Sequence, residues 1–263
     1  MARITFIGAG SLGFTRGLVR DILTFPTMRD ATLVLMDIDR ERLEFARRAC
    51  QSIIDRGGYP AKIVATRNRQ EALRGADAVL CTILSGGVDV WQHDILIPKK
   101  YGVDTNIGDT RSVSGVFRAL RTIPVMLDLA RDMRERCPRA VLLNYVNPMA
   151  MVCWALGTVP GLPFVGLCHG VQTTLDLIAG YLGLPKQDID YVAAGINHMA
   201  WFLKLEHRGE DLYPKFRAVC ERPEYYINEK VRIEVMRHFG YFMTESTGHL
   251  SEYVPWFRSS QRA

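Results

Sequence analysis

Short apolar runs rich in β-branched residues recur along most of the chain: RITFIG (3–8), ATLVLMD (31–37), AKIVAT (61–66), ADAVLCTIL (76–84), AVLLNY (140–145) and PFVGLC (163–168). Near-continuous runs of this length suit strands buried on both faces of a sheet. Between them, apolar positions fall at helical intervals. In DRERLEFARRACQSIIDRGG (39–58), Leu43, Ala46, Ala49 and Ile53 share a face, Asp39 is placed to cap the N-terminus, and two glycines close the segment. GVFRALRTIPVMLDLARDMRERC (115–137) predicts a long helix, bent or interrupted near Pro124. Strands alternating with helices predict an α/β fold with a doubly wound, parallel, Rossmann-type sheet, as in lactate and malate dehydrogenases. After about residue 195 the pattern changes. AWFLKLEHRGEDLYP (200–214) reads as a strand and turn, and NEKVRIEVMRHFGYF (228–242) as a helix. The expected organisation is therefore one domain over 1–195 and the start of a second, α+β domain over 196–263.

Bulk properties narrow the function classes. Of 263 residues 48% are hydrophobic, which is ordinary globular composition. The net charge of +5 is spread along presumed helices, with no Lys/Arg block dense enough to suggest nucleic acid as a partner. Six cysteines without CxxC spacing read as reduced, intracellular thiols. A first strand beginning by Arg3 leaves no room for a signal peptide, and no apolar run has the length of a membrane span. The expectation is a cytoplasmic protein with no membrane or nucleic-acid partner.

IGAGSLG supplies Gly8, Gly10 and Gly13 in G-x-G-x-x-G spacing, with Ser11 inside the loop. The loop follows a predicted strand and opens a helix, where glycines permit a tight turn, close approach to a pyrophosphate and helix–strand packing. Phosphates would sit at the helix N-terminus, where free N–H groups favour anions. Asp37 ends the second run, 24 residues after Gly13. A carboxylate there accepts from ribose hydroxyls and repels a 2′-phosphate, so NAD is expected over NADP.

Ligands in such sheets collect at the C-terminal ends of strands. Polar residues recur there in TILSGG (82–87), NYVNP (144–148), CHG (168–170) and INHMA (196–200). Each has a plain alternative: Asn147 a turn residue before proline, His198 a satisfied core histidine, Cys168 a small apolar filler. If Cys168 and His198 each end a neighbouring strand, a thiolate and an imidazole meet and can share a divalent metal, with positions left open for vicinal substrate oxygens.

ITFIGAGS, LMDID, RALRTIP, LNYVNPMAM, GLCHG, GINHMAW and HLSEYVPWF together resemble glycoside hydrolase family 4, and most of all its α-galactosidase (melibiase) and α-glucosidase branch. The resemblance runs nearly end to end, although family members are longer, which implies a C-terminally truncated chain. It implies NAD and a divalent metal, usually Mn2+, and net hydrolysis of a small-molecule glycoside outside the usual two-carboxylate scheme. In that family hydride leaves sugar C3, a base removes the C2 proton beside the metal, the leaving group is eliminated, water adds and hydride returns. By resemblance Cys168 and His198 hold the metal, Asn147 contacts sugar hydroxyls, His169 takes the place of the acid (aspartate in other branches) and Tyr253 that of the base. Asp109 in NIGDT is a reserve for proton transfer. GGVDVWQHD (86–94) has Trp91 and no arginine where the 6-phosphosugar branch carries one, so an unphosphorylated glycoside is expected. Full-length relatives are expected to be homo-oligomers. Two other readings share the sheet and cofactor: a 2-hydroxyacid dehydrogenase using Arg111, Arg118 and His198, which leaves CHG without a role, and an NAD-binding fragment without turnover.

Overall fold

A computed structural model describes residues 1–258, which fall into two compact units. One consists of Met1–Val88 and Arg118–Leu167, the other of Asp89–Phe117 and the chain from Cys168 onward.

The first unit contains β1 (Arg3–Ile7), α1 (Leu12–Thr24), β2 (Thr32–Met36), α2 (Arg40–Gly57), β3 (Lys62–Thr66), α3 (Arg69–Leu73) and β4 (Ala78–Cys81). The chain leaves it inside α4 (Gly87–Lys99) and returns inside α5 (Ser112–Arg136), then adds β5 (Val141–Asn144), α6 (Met149–Leu156) and β6 (Phe164–Gly166). All six strands are parallel in the order β3-β2-β1-β4-β5-β6, the doubly wound order of a Rossmann sheet. Along β2, Leu33 and Leu35 enter one apolar cluster while Val34 and Met36 enter another, so successive side chains bury opposite faces and no polar residue interrupts Leu33–Met36. Thr5, buried in β1, satisfies its hydroxyl by donating to the Ala72 carbonyl at 2.9 Å.

Asp39 caps α2 as expected, accepting from the N–H groups of Glu41 and Arg42, and Gly58 ends the helix at φ +60°. The break expected in α5 is not there: one helix runs through Pro124. The lost hydrogen bond and crowding cost roughly 3 kcal/mol. Burial of Met126, Leu129, Ala130 and Met133 on the same helix offsets it.

The second unit adds α7 (Gly170–Leu182), β7 (Asp190–Ile196), β8 (Met199–His207), β9 (Glu210–Asp211), α8 (Tyr213–Cys220), α9 (Pro223–Phe239), β10 (Phe242–Met243) and α10 (Thr247–Tyr253). Its sheet is antiparallel, ordered β10-β8-β7 with β9 on β8. Leu175, Ile178 and Leu182 of α7 share one buried cluster with Phe202, Phe216 and Phe242. That packing draws α7 into this compact unit, which takes up the chain at Cys168. Among the described residues no helix is long and apolar enough to cross a membrane.

Candidate functional site

In the first unit the loop after β1 is built by close approaches. Gly8 has φ +84° and donates to the Met36 carbonyl at 3.0 Å. Gly10 donates to Asp37 Oδ2 at 2.7 Å, and a Cβ at Gly10 would lie 2.7 Å from both that oxygen and Arg42 Cβ. Asp37 Oδ1 accepts from the Asp39 N–H at 2.9 Å. Two backbone donors thus fix the carboxylate and leave it acceptor capacity for hydroxyls. Ser11 stands at the N-cap of α1 without capping any N–H through its side chain. The Leu12 N–H is already taken by the Gly10 carbonyl at 2.9 Å, and the helix dipole still favours an anion at this end. Gly13 differs from expectation: a Cβ there would meet nothing within 4 Å, so helix–strand packing does not require it. The open space above the helix start is what a pyrophosphate needs, and the loop fits a dinucleotide.

Asn147, in the same unit, is half-buried in the segment between β5 and α6, with a cis peptide to Pro148. The buried Asn144 ties that segment down by accepting the Val146 N–H at 3.0 Å.

In the second unit, side chains from four segments converge. Cys168 lies two residues past β6, and its Sγ accepts the Gly170 N–H at 3.3 Å. His198 occupies the two-residue turn of the β7–β8 hairpin, closed by the Ile196–Met199 pair, and has φ +62°. It therefore does not end a strand of the parallel sheet, as expected, and it meets Cys168 although their strands belong to different sheets. A left-handed histidine is uncommon and aims the ring away from the path of an ordinary turn residue. Asp109 comes from the segment between α4 and α5. Glu245 comes from the stretch that links β10 to α10, His249 from the first turn of α10, and Tyr253 ends that helix.

His198 Nδ1 lies 2.6 Å from Thr110 Oγ1 and 3.2 Å from the Tyr253 hydroxyl, while Nε2 faces Glu245 Oε2 at 3.4 Å. Asp109 Oδ1 accepts from Thr110 Oγ1 at 2.8 Å and from Tyr253 at 3.1 Å; Oδ2 faces His249 Nε2 at 3.5 Å. Two sets of donor atoms lie within 4.8 Å of one another: Cys168, His198 and Glu245, and Asp109, His198 and His249. Two residues outside the cluster hold its frame. Glu252 accepts from the N–H groups of Asn106, Ile107 and Gly108 at 2.6, 2.6 and 2.9 Å. Trp91 Nε1 donates to the Ile107 carbonyl at 3.1 Å.

The cluster is electron-rich. Burial would raise the Asp109 carboxyl, but the His249 hydrogen bond and the charges of His198 and His249 outweigh it and hold it at about 2. Burial drives His198 below its usual value against the pull of Glu245 and Asp109. His249 moves the other way, because Asp109 and Glu245 outweigh its burial. Burial raises the Cys168 thiol, and the Glu245 and Asp109 charges add to that rise. The Tyr253 phenol is pushed far up by burial and then by the Asp109 charge. Two buried carboxylates side by side are costly without positive charge between them, and sulfur, nitrogen and oxygen donors together suit a divalent transition metal. The residues fit such an ion.

Of the residues expected from the sequence, the second unit brings Cys168, His198, Asp109 and Tyr253 together. His169 follows Cys168 as the exposed N-cap of α7, its carbonyl accepting from the Thr173 N–H at 2.9 Å. Arg111 donates to the Met199 sulfur. Glu245, His249 and Thr110 were not singled out. His249 and Tyr253 sit four residues apart in HLSEY, a spacing that puts both on one helix face, and this was the available signal.

Residues 3–184 match the family 4 glycosyl hydrolase model, and residues 193–262 match that family's C-terminal domain. The chain is 41% identical over 262 residues to an α-galactosidase of Rhizobium meliloti (strain 1021), covering 97% of this chain and 53% of that protein. To an α-galactosidase of Bacillus subtilis (strain 168) it is 40% identical over 259 residues, covering 98% and 60%. The chain thus spans little more than half the length of these relatives. A solved 6-phospho-alpha-glucosidase from gut microorganisms, in complex with NAD and Mn2+, shares the fold with a TM-score of 0.81 at 23% identity, over 94% of this chain and 59% of that one.

Proposed function

The chain belongs to family 4 of the glycosyl hydrolases, and we propose that it binds NAD at the glycine loop, holds a divalent cation such as Mn2+ at Cys168 and His198, and hydrolyses an unphosphorylated α-galactoside or α-glucoside. The observation that carries this reading is the cluster in which the exposed Cys168 thiol converges with a buried imidazole, a buried tyrosine and two buried carboxylates. The α-galactosidases at about 40% identity and the relative solved with NAD and Mn2+ support it.

When bound, NAD accepts and returns a hydride at a sugar carbon, and the cation polarises vicinal oxygens so that the neighbouring C–H becomes acidic. The chain's own residues do the rest. Gly10 and Asp37 place the ribose, and the first turn of α1 receives the pyrophosphate. Asn147 donates to and accepts from sugar hydroxyls. His198 turns Nδ1 to the Thr110 and Tyr253 hydroxyls, which fixes the ring and leaves Nε2 for the cation. Tyr253 takes the proton at its phenol oxygen as its own hydroxyl proton passes along the existing hydrogen bond to Asp109 Oδ1. His169 holds a proton for the departing oxygen.

Nitrophenol release from nitrophenyl α-galactoside and α-glucoside tests the reading. Turnover should require NAD, Mn2+ and a thiol reductant together, with no net NADH formed. Stoichiometric NADH oxidation by a keto acid would instead indicate a dehydrogenase, and NAD binding without nitrophenol release an inactive fragment.

A further inference from the structure

The Cys168–His198 pair leaves one buried carboxylate unexplained. We infer that Glu245 is a third protein donor to the divalent cation, and that the opposite side of His198, toward Asp109 and Tyr253, is reserved for the proton. The inference rests on the metal reading above.

Backbone pairing delivers Glu245 to this place. β10 pairs with β8 through Met243 and Trp201, and the Thr244 N–H donates to the Ala200 carbonyl at 2.9 Å, which sets the next residue level with the hairpin turn. The position is fixed from behind. The Thr244 carbonyl accepts from Thr174 Oγ1 at 2.7 Å, and that hydroxyl accepts from the buried Arg232 at 3.0 Å. Within the carboxylate the two oxygens have different tasks. Oε1 accepts the Ser246 N–H at 2.8 Å, which turns Oε2 toward His198 Nε2 at 3.4 Å. That gap is long for an N–H···O hydrogen bond. It is near the roughly 3 Å expected between neighbouring ligands that each lie about 2.2 Å from one ion. Cys168 Sγ completes the set within 4.8 Å.

The alternative set, Asp109 with His198 and His249, lies on the Nδ1 side of His198. That nitrogen is 3.8 Å from Asp109 Oδ1 and is already 2.6 Å from Thr110 Oγ1 and 3.2 Å from the Tyr253 hydroxyl. Glu245 Oε2 has no such partner among the described residues. A thiolate, an imidazole and a carboxylate carry enough charge to retain a divalent cation before substrate arrives, and an ion that takes more than four ligands keeps positions for two vicinal oxygens.

The test is Mn2+ titration followed by the free-ion spin resonance signal, with NADH fluorescence binding measured in parallel. Wild type should bind one Mn2+ per chain. Glu245→Gln should weaken binding by at least about tenfold, as should Cys168→Ser, with NADH affinity unchanged. A second variant covers the case in which Glu245→Gln does not fold. A Cβ at Gly170 would lie 3.3 Å from Glu245 Oε2 and 3.5 Å from Cys168 Sγ, so Gly170→Ala should crowd the same two donors and lower Mn2+ affinity. Wild-type affinity in a folded Glu245→Gln chain, with Cys168→Ser still impaired, would overturn the role of Glu245 and leave the metal reading standing. A wild-type protein that binds no Mn2+ would overturn both.

Discussion

The Tyr253 hydroxyl donates to Asp109 Oδ1 at 3.1 Å, a contact that joins residues 144 positions apart in the chain. The same hydroxyl lies 3.2 Å from His198 Nδ1. A phenol pressed between a buried carboxylate and an imidazole keeps its proton, and burial followed by the Asp109 charge raises it well above the ordinary tyrosine value. On the reading proposed above, a cation bound in the cluster would supply the positive charge that makes this oxygen available as a base.

Tyr253→Phe separates these functions. The variant loses one neutral hydrogen bond, so stability should fall by about 1 kcal/mol. Mn2+ and NADH affinities should stay within about twofold, while deuterium exchange at sugar C2 should drop by a factor of roughly 100 or more. Undiminished exchange, read by NMR in deuterated buffer, would remove Tyr253 from the proton path.

The Asp109–His249 contact makes a pH prediction with two limbs. The Asp109 carboxyl is held at about 2, below the roughly 3.9 of an unfolded aspartate. Its contribution to stability is therefore present above pH ~4 and lost as pH falls from ~4 toward ~2. His249 is raised, so its contribution is present below about pH 6.5 and lost as pH rises through its folded value. In metal-free protein the melting-temperature gap between wild type and Asp109→Asn should close on the acid side. The gap between wild type and His249→Gln should close on the neutral-to-alkaline side. Gaps that stay constant with pH would show that neither group carries this linkage.

Asp37→Ala should weaken NAD binding by about tenfold, the value of one charge-assisted hydrogen bond, and narrow the preference over NADP. The loop should loosen as well, because the Gly10 and Asp39 N–H groups lose their acceptor. Titrating both cofactors against protein fluorescence decides it. Equal, unchanged affinities would place the ribose elsewhere.

His169→Ala should cost alkyl glycosides, which need leaving-group protonation, at least about tenfold more than nitrophenyl glycosides, which need little. His169 sits at the exposed start of α7 and next to Cys168, so a loss of metal affinity would lower both substrate classes alike. The ratio of the two kcat/KM values distinguishes the cases.

The parallel sheet was legible because its information is local. Each of the six apolar runs contains one strand, Asp39 and Gly58 bound α2, and the glycine loop stands between strand and helix. The polar cluster was only half legible. Cys168 and His198 announce themselves by residue type, whereas Glu245 matters because a two-residue strand pairs with β8, and no periodicity betrays a strand that short. The same holds for Thr110, whose hydroxyl reaches His198 across 88 residues. The compact unit begins upstream of the expected boundary for a related reason. The apolar face of α7 looks like any helix covering a parallel sheet, yet it packs with Phe202 and Phe242.

Glu252 accepts three successive backbone N–H groups from the segment that ends in Asp109, and it is the immediate neighbour of Tyr253 on α10. One short helix, started by the Ser246 cap on the His249 N–H, therefore clasps the acid's loop and carries the tyrosine. The two groups should therefore share a single opening equilibrium. Amide hydrogens of residues 106–108 should exchange with solvent at the same free energy as those of α10, so that fraying of that helix displaces Asp109 and Tyr253 in one event.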